Sequence, residues 1–150
     1  MAYNYGARKR TRITASIRLA LVYALRIMAL GLLIFQLFPV PLLRLFKASD
    51  ALLSIGVPAL RIISVSFLLA GFCIIAGSVF QAIGNPVYSL IVSECRQMVV
   101  LLPVAWLLSR TGRLELVWWS FPIAELVSLT LSAIFLRRTL RAAGERLSQK

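Results

Sequence analysis

Residues 84–125 read GNPVYSLIVSECRQMVVLLPVAWLLSRTGRLELVWWSFPIAE. Gly84-Asn85-Pro86 is a stop-and-restart signal, with glycine suited to a helix C-terminus and proline to the first turn of the next helix. An apolar run interrupted by Glu94, Arg96 and Gln97 follows, then a polar break from Ser109 to Glu115, then a second apolar run that holds Glu125. At a rise of about 1.5 Å per residue, Arg96 lies roughly 15 Å in from Pro86 and Glu125 roughly 15 Å in from Glu115. Both depths correspond to the middle of a hydrocarbon core about 30 Å thick.

An ionisable side chain at that depth costs on the order of 3 kcal/mol or more, so it faces a protein interior or a watery path rather than lipid. If the two helices run antiparallel about the 109–115 break, facing residues have numbers that sum to about 224. Glu125 then lies opposite position 99, within one turn of Arg96. The candidate intramembrane polar network is therefore Gln81, Glu94, Arg96, Gln97 and Glu125. A bland alternative stands beside it: the charges neutralise one another and merely hold a helix bundle together.

Outward from this hairpin, the chain of 150 residues is 60% apolar with a mean hydropathy of +0.87. Ordinary soluble domains are only about half apolar, which argues against a soluble globule. The formal charge of +12 does not indicate a nucleic-acid binder, because the basic residues collect at the chain ends and leave long uncharged runs between them. Soluble-type enzymology has no support, since there is no His, no Gly-rich phosphate loop and no nucleophile beside a base. No cofactor or metal is expected. Cys73 and Cys95 sit in apolar runs without metal-ligand spacing and read as small core residues.

Four spans are expected, over about 17–38, 51–83, 86–108 and 116–136. Pro39 and Pro41 end the first, and 40–50 forms an interfacial connection with Ser49 or Asp50 as the next N-cap. Pro58 is expected to kink the second span or to place its first turns at the interface, and Pro103 to bend the third. Trp106, Trp118 and Trp119 flank the 109–115 break like an aromatic belt. The terminal segments hold ten basic residues (8, 9, 10, 12, 18, 137, 138, 141, 146, 150), against four in the opposite loops (44, 47, 110, 113). The positive-inside rule then makes both termini cytoplasmic.

Five motifs in order resemble the C-terminal third of a bacterial MATE transporter, the multidrug and toxic compound extrusion family. They are Asn4-Tyr5-Gly6-Ala7 before a basic stretch, Pro58 to Ser64, Phe80 to Gly84, Arg96-Gln97 with Pro103, and Val117 to Glu125. The resemblance implies an all-α membrane protein whose four helices correspond to helices nine to twelve of a twelve-helix antiporter. It implies a bacterial inner-membrane location and a fragment of a drug exporter that moves organic cations or amphipathic compounds in exchange for H+ or Na+ but is not active alone. The implied partners are membrane lipid, small-molecule drugs and the missing transporter helices or other membrane chains. No coupling-ion site carries over, because the segment matching helix ten holds Arg61 and no acid. Glu94 stands outside the family's Arg-Gln motif, whereas Arg96, Gln97 and Glu125 match it. Two other readings are a portion of a lipid-linked oligosaccharide flippase and a small non-transporting membrane protein that packs with partner helices.

Overall fold

The computed structural model describes residues 10–148. Residues 1–9, with the Asn4–Ala7 motif, Arg8 and Lys9, lie outside the described residues, as do 149 and 150. The fold is all-helical, with no strand among the described residues. Its helices are α1 (Arg10–Leu37), α2 (Pro39–Leu45), α3 (Asp50–Ser64), α4 (Phe67–Ala82), α5 (Pro86–Glu94), a π-helical segment (Cys95–Leu101), α6 (Leu102–Ser109), α7 (Leu114–Trp118) and α8 (Ser120–Ser148). Three stretches are long and apolar enough to cross a membrane, Thr11–Leu37, Pro86–Ser109 and Leu114–Ala143. The pair α3 and α4, bent by 51°, makes a fourth if it crosses as one broken span.

Local chemistry sets the breaks. Phe38 precedes Pro39 and leaves the helical region at φ −123° and ψ 40°, because the proline ring disfavours a helical residue before it; Pro39 then opens α2. Ser49 caps α3, its Oγ accepting from the Leu52 N–H at 3.3 Å, and Asp50 places a carboxylate at the positive end of the helix dipole. At the end of α4 the Asn85 N–H donates to the Phe80 carbonyl at 2.8 Å and the Gly84 N–H to the Gln81 carbonyl at 3.2 Å. That pairing needs a left-handed residue between helices, and Gly84 supplies it at φ +88°.

The bend in the second hydrophobic stretch is not at Pro58, which sits inside α3. It falls at Val65–Ser66, where the Ser64 hydroxyl donates to the Arg61 carbonyl at 3.0 Å and the Ser66 hydroxyl to the Ile63 carbonyl at 2.6 Å. Hydroxyls turned back onto helix carbonyls compete with the backbone ladder and bend helices. Gln36 of α1 completes the repair, its Nε2 donating to the Arg61 carbonyl at 2.8 Å and to Ser64 Oγ at 3.1 Å. Broken backbone at membrane depth is tolerable only when side chains satisfy it in this way.

Helices α1 and α8 run past the ends expected for their spans. The basic stretches Arg10–Ile17 and Arg137–Arg141 contain no Gly or Pro to stop a helix, and their helical turns pack rather than dangle. Val79, Ile83 and Ala143 form a buried cluster with Ile17 and Leu136 against it, tying the start of α1, the end of α4 and the far part of α8 together at one end of the bundle. Closer to the middle, α1 and α4 approach at Gly71, where an added Cβ would meet Met28 Cγ at 3.0 Å. Along its opposite side α1 exposes Leu19, Tyr23, Ile27 and Leu30, a surface suited to lipid or further helices and not to water.

Candidate functional site

Glu125 lies on α8 one turn beyond Pro122, and the residue is only 8% exposed. Across from it, the π-helical segment carries Arg96. The Arg96 guanidinium donates from Nη1 to Glu125 Oε1 at 2.7 Å, with the arginine side chain 36% exposed. Pro103 accounts for the π segment just ahead of it. Lacking an N–H, Pro103 leaves the Val99 carbonyl without its usual partner, and its ring crowds that carbonyl; a wider turn relieves both.

Arg96 also forms part of the wall of a cleft of about 260 Å³ between α4, α5 and α8. Its other polar walls are Ser78, Gln81, Ser89 and Ser93 toward the mouth and Ser128 and Ser132 at depth. Phe80 lies on the same wall, in a T-shaped contact with Tyr88 at 5.9 Å, and Tyr88 stacks on Phe135 at 4.7 Å, so three aromatic rings fix the spacing of the three helices. Cys73 is a free, buried thiol on the wall, beside Ser132 and within electrostatic reach of both charged partners.

Helix α8 turns a run of polar atoms inward. Ser120 Oγ, Glu125 Oε2, Ser128 Oγ, Ser132 Oγ and Thr139 Oγ1 are all buried without a hydrogen-bond partner among the described residues. Buried polar groups are normally satisfied, so this concentration on one helix marks α8 as the polar seam of the bundle. In chemical terms the site offers one ion pair, several hydroxyls and no metal-binding cluster among the described residues.

The five sequence candidates divide. Arg96 and Glu125 meet directly. Gln81 stands at the cleft mouth, its Nε2 donating to Ser89 Oγ at 3.3 Å. Glu94 and Gln97 are exposed and are not brought to the pair. Sequence reasoning missed the serines. A signal was present for two of them, since Ser128 and Ser132 recur three and seven residues after Glu125 and share its helix face.

The MatE family model matches residues 1–107. The chain belongs to the MatE family. Solved structures of similar fold agree. An inward-facing multidrug resistance MATE family transporter of the MOP superfamily superposes with a TM-score of 0.88 at 22% identity, covering 99% of this chain and 34% of that one. The MATE multidrug transporter DinF-BH, solved in complex with R6G, gives 0.81 at 35% identity over 91% of this chain and 30% of its own. The Vibrio cholerae MATE transporter VcmN in its bent form gives 0.83 at 24% identity, with coverage of 93% and 32%. The chain thus spans about a third of the length of these transporters. Comparison with curated proteins gives no match. A MatE chain with apolar spanning helices is a multi-pass membrane protein of a transporter family.

Proposed function

We propose that this MatE chain forms part of one lobe of a multidrug antiporter, equivalent to helices nine to twelve, that exports organic cations or amphipathic drugs in exchange for H+ or Na+. The observation that carries the reading is the 35% identity and common fold with a multidrug transporter over 91% of the chain. A length ratio of about a third also fits four helices out of twelve. In such an antiporter two lobes rock about a central site, and coupling requires that the coupling ion favour one arrangement of the lobes. The Arg96–Glu125 pair and the serine cleft supply a polar section of the cavity wall in this scheme. Both chain ends face the cytoplasm of a bacterial cell, which the basic terminal segments and the shared end of α1 and α8 support.

The four-helix chain is not expected to transport alone, because faces such as Leu19, Tyr23 and Ile27 on α1 leave room for further helices. Dye accumulation in cells stripped of their own exporters tests both statements. A full-length protein containing this chain should lower intracellular rhodamine 6G, and the four-helix chain by itself should leave it unchanged. Extrusion by the four-helix chain, or none by a correctly inserted full-length protein, would defeat the proposal.

A further inference from the structure

The cleft carries an asymmetry of charge. Among the described residues lining it, Arg96 is the one bearing a formal charge; no carboxylate stands on its wall, and Glu125 is bonded to Arg96 without lining the cleft. The ion pair therefore presents its positive end to the opening. Only Nη1 of the guanidinium is engaged, by Glu125 Oε1. A guanidinium has five N–H donors in a planar fork, so an outward edge stays available to an acceptor. Deeper in, Ser128 and Ser132 are 1% and 0% exposed, line the cleft and lack hydrogen-bond partners. Their hydroxyls lie just behind the wall, closed off from water-sized contact.

We propose that this cleft is a binding site for the anionic group, carboxylate or phosphate, of an amphipathic molecule, with Arg96 as its charged anchor. Charge-assisted bonds to a guanidinium are the strong ones and suit planar, two-oxygen acceptors. A cation placed here meets like charge and no carboxylate. At about 260 Å³, the space is smaller than the roughly 300–1,000 Å³ of sites that enclose a drug-sized ligand. It takes the head of the molecule, and the apolar remainder lies against Ile74 and Val92 of the same wall. The inference goes beyond the exporter reading, since binding is measured without transport, and it assigns the holding of an organic cation's charge to helices outside this chain.

The test compares dansylglycine with its methyl ester, which differ in the carboxylate, by fluorescence titration of the purified protein in phosphatidylcholine nanodiscs. The acid should bind about tenfold or more tighter than the ester. That preference should vanish in the charge-neutral pair Arg96→Gln/Glu125→Gln, which leaves no orphaned charge. A second variant, Arg96→Lys, keeps a cation opposite Glu125 and so leaves no orphaned charge, but removes the planar fork; it should shrink the acid's advantage severalfold. Nanodiscs rich in phosphatidylglycerol separate the sources of the anionic group. Loss of dansylglycine binding there assigns the site to a lipid headgroup, and retention assigns it to a soluble amphiphile. Equal affinity for acid and ester in the unmodified protein, or an acid preference that survives both variants, overturns the proposal.

Discussion

Glu125 is nearly shut off from solvent while its partner keeps a side-chain exposure of 36%, and that inequality makes the two halves of the pair respond differently to mutation. With Nη1 and Oε1 at 2.7 Å, the charge centres lie about 4 Å apart, and at an effective dielectric of about 20 their attraction is about 4 kcal/mol. Partial exposure of Arg96 and the desolvation of both groups offset roughly half of this, leaving a coupling of about 2 kcal/mol, or about thirtyfold in the folding equilibrium. Arg96→Met strands a buried carboxylate and should cost about 3 kcal/mol. Glu125→Gln leaves the guanidinium able to reach water through the cleft and should cost about 1 kcal/mol. The double variant then costs about 2 kcal/mol, less than the sum of the two single changes. Reversible unfolding by sodium dodecyl sulfate in mixed micelles, followed by far-UV circular dichroism, measures all four corners of the cycle. Additivity within about 0.5 kcal/mol would refute the claim that the pair acts as a unit.

Three further changes probe what positions the site. Gln36→Leu removes one of two donors to the Arg61 carbonyl at the α3–α4 bend, the Ser64 hydroxyl remaining, and should destabilise by about 0.5–1.5 kcal/mol in the same unfolding assay. Gly71→Leu drives a side chain into Met28 and should cost about 1–3 kcal/mol; thermal unfolding should register a lower midpoint. Ser49→Ala deletes the cap on Leu52 at a cost of about 1 kcal/mol, and amide exchange at the first turn of α3 should quicken while the cleft helices stay protected.

The charged pair was legible in the sequence because burying charge in an apolar run is so costly that few arrangements allow it. Arg96 and Glu125 are each deep in their segments, and a simple antiparallel register brought them within a turn of each other; the structure bonds Arg96 itself. Single-residue rotation was not legible. The π segment depends on how Pro103 is relieved, and the alternative of a plain kink has the same sequence. The bend at Val65–Ser66 shows a related limit, since Gln36, distant in sequence, joins Ser64 in satisfying the freed carbonyl. A Pro58 that stays helical is the counterpart, because losing one backbone bond in a packed helix is tolerated when neighbours hold it. Serines in apolar runs are also weak signals: Ser78 lines the cleft yet donates to its own helix at the Ile74 carbonyl, whereas Ser128 and Ser132 are buried without a partner. Only packing distinguishes those two uses of one residue type.

Blocking the cleft mouth in a working exporter tests whether this wall borders the transport path. Ser93 lines the mouth and is exposed, so Ser93→Trp fills the opening without disturbing the buried pair. The measurement is rhodamine 6G efflux from cells lacking their own exporters, with membrane abundance of the full-length variant matched to that of the unmodified protein. A wall that borders the path of the drug without holding its charge predicts that the added ring narrows the path and efflux falls by about tenfold or more, equivalent to a barrier change of about 1.4 kcal/mol. Undiminished efflux from a normally inserted Ser93→Trp protein would contradict it.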